Sequence, residues 1–309
     1  QWLSFRVIKH NPIVLVHGFD FAEIILGKPG RNPANWNTVV SILKEKGYKP
    51  LYDSYDKNTD KPIGDLNLYA DLFVVDNLDT SLTFEANATL LENYLKKNVR
   101  NRISYEVVVD LIGHSMGGLI ARAYVGEIYS RYSFSRGGPE TAIFLAKVGS
   151  VGVQRVVTIA TPHSGNLLAE VWNTTIFPKV PAIDSLSLSG CSNFNRNYPP
   201  IYGIQYFLIG VKGLYISVAM PHLPIELSGL FALIVSMSEL SLIGVYPDLV
   251  IRQENDGIVH NWSAYWLYNQ VIPFGYLVGG HVDGPKTDNV IRSYPSIDMG
   301  IDFILTPEE

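Results

Sequence analysis

Residues 106–118 constrain this chain more than any other stretch. Residues 106–112 (EVVVDLI) form an apolar, β-branched run of the kind that becomes a strand buried on both faces. The run passes without a spacer into Gly113-His114-Ser115-Met116-Gly117-Gly118, and then into the helix-forming LIARAYVGEIY. A strand that turns into a helix within about one residue bends sharply, and its apex residue takes a strained backbone conformation. Glycine at 113 and 117 removes side chains that would strike the neighbouring backbone. The bend lifts the Ser115 hydroxyl out of the sheet, at the positive end of a helix dipole. Ser115 is therefore the candidate nucleophile.

The rest of the chain repeats the alternation of strand and helix. Strands are predicted over residues 12–16 (PIVLV), 48–55, 106–112, 153–160 (VQRVVTIA) and 204–209 (IQYFLI). Helices are predicted over 36–46, 83–97 and 115–129. This pattern implies an α/β fold, a mainly parallel sheet with helices on both faces. Two segments interrupt it. Residues 164–200 mix turn formers with apolar residues and read as a cap over a site. Residues 212–247, with Leu227, Leu230, Phe231 and Ile234 on one helical face, fit a second cap or an extra core helix. No repeat or linker divides the chain, so residues 1–309 are expected to form one domain.

Composition narrows the function. The net charge is −5 with no basic cluster, which argues against a nucleic-acid binder. One cysteine, Cys191, excludes an internal disulfide and a cysteine-rich metal site. Only 17% of residues are charged, while 18 Tyr, 13 Phe and 5 Trp suggest apolar surface offered to something. No transmembrane segment is expected. The longest uncharged stretch, 257–282, carries His260, Asn261, Asn269, Gln270 and Pro273, and the apolar run 227–238 is bracketed by Glu226 and Glu239. An N-terminal Gln fits a processed chain or a trimmed one. Asn-x-Ser/Thr triplets begin at Asn87, Asn173 and Asn261 and agree, weakly, with a secreted protein.

A nucleophilic serine needs two N–H donors for the oxyanion, a base, and a group that orients the base. Met116, just after the nucleophile, supplies one backbone N–H; Phe19, after the strand ending His17-Gly18, fits the other. His17 reads as a brace of that loop, and His163 as structural. His114 sits inside the bend and cannot turn back onto Ser115. His281, in Gly279-Gly280-His281-Val282-Asp283, lies in a late loop where a base should arrive, with His260 the next choice. Asp256, in Asn255-Asp256-Gly257, follows a predicted strand over 249–252 and fits the acid; Asp248 and Asp283 are its rivals. Asp110 reads as a structural acid within its strand.

Together VLVHGF, DLIGHSMGG, TIATPHSG, ENDGIV and GGHVD, spread over positions 14–283, resemble the α/β-hydrolase superfamily, and more closely the triacylglycerol lipases of bacteria. The resemblance implies a Ser115–Asp256–His281 triad and a mobile lid over residues 166–200, with Leu167, Leu168, Val171, Trp172, Ile176 and Phe177 as its apolar underside. It also implies a structural calcium, with Asp283, two residues after His281, and Glu226 as carboxylate ligands. Gly284-Pro285 and an apparent insertion after Glu226 depart from that pattern, and two ordinary surface acids are the alternative. No cofactor is required by the chemistry, and there is no zinc-ligand cluster.

The expected activity is hydrolysis of acyl-chain esters, with ester or lipid as substrate and a lipid–water interface as the working surface. A carboxylesterase acting on soluble short-chain esters, or on a polyester, is the alternative. A binding protein that keeps the scaffold without turnover is a third reading.

Overall fold

The apolar runs assemble side by side into one parallel sheet. The computed structural model describes residues 10–19, 36–55, 62–103, 106–174, 179–212 and 273–278. Its sheet contains β1 (Ile13–Val16), β4 (Leu72–Val74), β5 (Val108–His114), β6 (Gly152–Ile159), β7 (Gln205–Lys212) and β8 (Pro273–Val278). Their order is β4-β1-β5-β6-β7-β8, every neighbouring pair parallel. A short antiparallel ribbon, β2 (Ser54–Tyr55) with β3 (Pro62–Ile63), stands apart. Val16 pairs with Gly113, and His114 with Ile159. The exits of β1, β5 and β6 therefore meet at one rim.

Alternation along the strands sends apolar side chains to both faces, and both faces are covered. Ile13, Leu15, Ile112, Val157 and Ile159 pack with Trp36, Val39, Val40 and Leu43 of α1 (Asn37–Glu45) and its flank. Val14, Val16, Val109 and Leu111 face α2 (Phe84–Tyr94), α3 (Met116–Arg131) and α4 (Pro139–Lys147). A bulge in β6 at Gln154, opposite Val109 and Asp110, lets Val153 and Val156 join this second face.

Helices α2 and α3 are stapled by charge. Glu92 receives two hydrogen bonds from the Arg131 guanidinium, at 2.7 and 2.9 Å, and its carboxylate lies 2.8 Å from Lys96. The Arg131 bonds, with Lys96 adding to them, hold the Glu92 carboxyl down at about 2. Nearby, Asn87 on α2 is fully buried. Its side chain bonds the carbonyls of Asp79, Leu82 and Thr83 and accepts from the Asp79 N–H. The triplet beginning at Asn87 thus serves to hold the loop after β4, and its amide is not offered to solvent.

Two regions differ from the sequence reading. Residues 48–55 are predicted as a strand; Pro50 instead makes a lone bridge to Leu72, and only Ser54–Tyr55 pairs, in the ribbon. Pro50 has no N–H to give a ladder, and the place beside β1 goes to Leu72–Val74, a run too short to stand out. Helix α4 was not foreseen, although Pro139 at its start, Glu140 in its first turn and Lys147 in its last are ordinary boundary signals.

The expected lid, residues 166–200, contains three short helices: α5 (Leu167–Thr174), α6 (Pro181–Leu186) and α7 (Leu188–Asn197). Trp172, Ala182, Ile183, Leu186, Cys191 and Phe194 are buried in the same cluster as α2 and α3. The segment leaves the exit of β6, and its Ala182 N–H reaches the Ser81 carbonyl at 3.1 Å, on the loop after β4. It therefore runs from one side of β5 to the other. Of the second expected insertion, 212–247, only Lys212 belongs to the described residues. Among the described residues no helix is long and apolar enough to cross a membrane.

Replacing Glu92 by Ala should destabilise the protein by about 1–3 kcal/mol in urea unfolding at pH 7, since two Arg131 donors lose their acceptor. Because the folded pKa of Glu92 is depressed to about 2, its contribution is complete above the ordinary glutamate value and lost as pH falls toward 2. The gap between wild type and Glu92→Ala should narrow over that window.

Candidate active site

Ser115 occupies the turn between β5 and α3 with φ 54° and ψ −129°, a left-handed conformation that side chains rarely adopt. Three contacts impose it. The Ser115 N–H donates to the Ile159 carbonyl at 2.8 Å, so the bend leans on the exit of β6. Gly117 lies against the carbonyls of Val16 and His17, where a Cβ would collide with both. At Gly113 a Cβ would lie 2.5 Å from the Gly118 nitrogen. The two elbow glycines read from the sequence are thus required by backbone-to-backbone contact.

The exit of β1 passes directly over the nucleophile. A Cβ placed on Gly18 would lie 2.6 Å from Ser115 Cβ and 3.2 Å from Ser115 Oγ. Phe19, the next residue, is partly buried against the core. Met116 is the first residue of α3, so by position its N–H has no acceptor inside the helix. The Ser115 side chain makes no capping hydrogen bond to its own helix. The serine is 7% exposed and sits at the N-terminus of a 16-residue helix whose dipole favours negative charge there. A hydroxyl so placed, with helix N–H groups beside it, suits attack on a carbonyl and stabilisation of the resulting oxyanion.

Several polar groups of these strands and their exits have defined partners. His17 turns its Nδ1–H to the Gly18 carbonyl, 3.0 Å away, and so braces its own loop. The His114 ring packs edge-on against Trp36, on the α1 face. Asp110 lies fully buried earlier in β5, bonded by Asn11 at 3.2 Å and by Arg155 at 3.4 Å. Burial pushes its carboxyl up to about 7 against the pull of Arg155. The Cys191 thiol is buried, pushed up to about 12 by desolvation, and directed at the carbonyls of Pro162 and Ser185. It is a packing residue.

Residues 11–188 match the family described as "Putative serine esterase (DUF676)". The chain belongs to this family. Among solved structures, lipase 1 from Pelosinus fermentans is 15% identical with a TM-score of 0.56, over 98% of this chain and 100% of that one. Bacillus licheniformis lipase BlEst2 in its mature form is 16% identical with a TM-score of 0.55, over 98% and 96%. The product of gene lin2722 from Listeria innocua is 15% identical with a TM-score of 0.52, over 97% and 96%. No curated protein matches the chain by sequence. The fold is that of the α/β hydrolases, as the sequence motifs imply, and the family is one of ester hydrolases.

The expected partners of Ser115 belong to a later part of the chain. Asp256 and His281 lie outside the described residues, as do their rivals Asp248, His260 and Asp283, and the calcium candidate Glu226. Among the described residues no group of three or more His, Cys, Asp or Glu side chains is placed to hold a metal. One buried histidine that the sequence reading left as merely structural proves to be highly connected. His163, after β6, accepts from Arg122 Nη1 at Nδ1, 3.1 Å away; arginine only donates, so the ring proton sits on Nε2 and points at Thr158 Oγ1, also at 3.1 Å. Burial, and then Arg122, hold His163 well below the ordinary imidazole range, so it is neutral. The signal for it lay in α3: Gly118, Arg122 and Gly126 recur every four residues, one stripe of the helix.

Two outcomes follow. Gly18→Ala should cut ester hydrolysis by about 100-fold and also lower the melting temperature, because its methyl would meet both Ser115 Cβ at 2.6 Å and the His114 carbonyl oxygen at 2.8 Å, so that the bend itself must shift; rates and thermal unfolding on one preparation check both. Folded His163 refuses a proton that the unfolded chain accepts below about pH 6.5, so stability is constant above that pH and falls below it. Between pH 7.5 and 5, wild type should lose up to about 2 kcal/mol more than His163→Gln in urea unfolding.

Proposed function

We propose that this esterase is a lipase that cleaves acyl-chain esters of the triacylglycerol type through an acyl-enzyme on Ser115. The observation that carries the reading is the strained Ser115 bend, with the β1 exit lying over it and the Met116 N–H at the first position of the helix. His281, arriving late in the chain, takes the Ser115 proton as Oγ attacks the ester carbonyl. Asp256 holds the imidazole tautomer and stabilises the imidazolium. The N–H groups of Phe19 and Met116 bind the oxyanion. His281 then protonates the leaving alcohol, and water repeats the sequence to release the acid. Support for the triad is the chain order Ser, Asp, His and the motifs around each. Hydrolysis should fall on the acid side of an apparent pKa of about 7, where the base is protonated.

The lipid side of the reading rests on sequence. Low charge, many aromatics and residues 166–200 as a lid with an apolar underside suit a lipid–water interface and a secreted location. A second reading, a carboxylesterase for soluble short-chain esters or a polyester, is favoured by one observation: α6 and α7 place their apolar side chains in the common core. A structural calcium on Glu226 and Asp283 belongs to the same proposal, as a brace for the loop that carries His281.

A chain-length series of p-nitrophenyl esters and triglycerides separates the readings. A lipase hydrolyses emulsified triglyceride faster above its solubility limit; an esterase shows no such rise. Ser115→Ala should lose activity by at least about 1,000-fold and lose labelling by a fluorophosphonate. Full activity in that variant rejects the nucleophile. Chelator should lower the melting temperature if the calcium is present, and leave it unchanged if it is not.

A further inference from the structure

The elbow cannot hold Ser115 in its conformation alone, because the Ser115 N–H rests on the Ile159 carbonyl, and the chain just beyond is itself strained. Ala160 has φ 49°, a left-handed value on a residue with a Cβ, while its N–H bonds the Ile209 carbonyl of β7 at 2.8 Å. Such a turn persists only where its surroundings over-determine it. The surroundings here are unusually specific. The Thr158 and Thr161 side chains fill the space where Gly118, in the first turn of α3, would carry a Cβ. His163 closes the turn: its N–H returns to the Thr161 carbonyl at 2.9 Å and its Nε2–H to Thr158 Oγ1 at 3.1 Å.

Two other elements grip the same histidine. Arg122, in the second turn of α3, donates to Nδ1, and Asn195 of α7 donates to the His163 carbonyl at 2.8 Å. Arg122 also donates to Asn195 Oδ1 at 3.1 Å and to the Tyr198 carbonyl at 2.8 Å, and lies over the Phe194 ring, 5.0 Å from its centroid. Below it, Gly126 leaves room for the Tyr198 ring. Gly118, Arg122 and Gly126 thus face the turn and α7 with one stripe, and α7 answers with Phe194, Asn195 and the adjoining Tyr198.

We propose that His163 is a positioning residue for Ser115: its ring bolts the turn that receives the Ser115 N–H to Arg122 in the nucleophile helix, so that the elbow, the β6 exit and α7 keep one geometry. The inference rests on the esterase reading for its effect on rate. Its structural claim stands separately. An apolar residue of similar size would keep the main-chain carbonyl that Asn195 holds but would not join Arg122 to Thr158. A glutamine would join them, since its oxygen accepts from Arg122 and its amide donates to Thr158.

The test compares His163→Leu with His163→Gln in the full chain. Two readouts are used: kcat and KM on a soluble p-nitrophenyl ester, and amide hydrogen exchange of residues 113–118 and 159–161 at matched global stability. The leucine variant should lose about 10- to 100-fold in kcat, with KM within about twofold, and its elbow amides should exchange at least several-fold faster. The glutamine variant should stay near wild type in both. If the leucine variant fails to fold, Thr158→Val, which removes only the acceptor of the Nε2 proton, should loosen the same amides.

Equal behaviour of leucine and glutamine, or elbow exchange that never departs from wild type, overturns the proposal. A wild type without turnover would reject the esterase reading, and the exchange arm would still decide the bolt.

Discussion

The close approach of three backbones at the rim of the sheet is the constraint on which this structure depends. The Val16 and His17 carbonyls touch Gly117, Gly113 touches Gly118, and the Ile159 carbonyl receives the Ser115 N–H. A serine held at φ 54° costs about 1–3 kcal/mol, and nothing in the turn itself offsets that. The offset comes from β1 and β6 lying on either side of β5 and ending level with it, which the register of all three strands ensures. Catalytic geometry at Ser115 is thereby a property of the sheet, and only secondarily of the motif.

That dependence explains what could be read in the sequence. The bend, its glycines and the apolar strands on each side are local features, each written in a few adjacent residues: Ser115 stands at the apex, Met116 opens the helix, and Gly18 lies against Ser115. Elements defined by what they pair with were less legible. Leu72–Val74 is an edge strand of three residues, too short to show a period, and it displaces the longer run around Pro50 that looked the better strand. The stripe Gly118, Arg122, Gly126 is regular in the sequence, but its meaning depends on Tyr198 and His163 arriving from distant positions. Asp256 and His281 were read from chain order and motif, and they lie outside the described residues.

The cap segment shows the same limit more sharply. An amphipathic helix that covers a site and one that completes a core carry the same apolar periodicity, because each needs one greasy face. Of the six residues expected to form the underside of a lid, Trp172 alone has a described side chain, and it is buried with the helices of the main core. Leu188 N–H donates to the Glu170 carboxylate at 3.1 Å, so α5 also caps α7, at the helix end where an anion is favoured. Polar contacts of this kind, invisible to any hydrophobic pattern, decide how far such a segment is part of the body.

Both ends of the sheet use buried polar groups, and the reason is directional. At the end far from Ser115, Asp110 on β5 meets Asn11 before β1 and Arg155 on β6; Arg155 bonds Gln205 on β7 at 2.8 Å, and Asn11 reaches Gln154 in the β6 bulge. At the exit end, Thr158 and His163 meet Arg122. A sheet of valines and isoleucines has little to choose between registers two residues apart, since the same faces stay apolar. Hydrogen-bonded side chains do choose, because a slip leaves each of them buried without its partner. The register they select is the one that sets Val16 beside Gly113 and Ile159 beside His114, and so closes the bend around the serine.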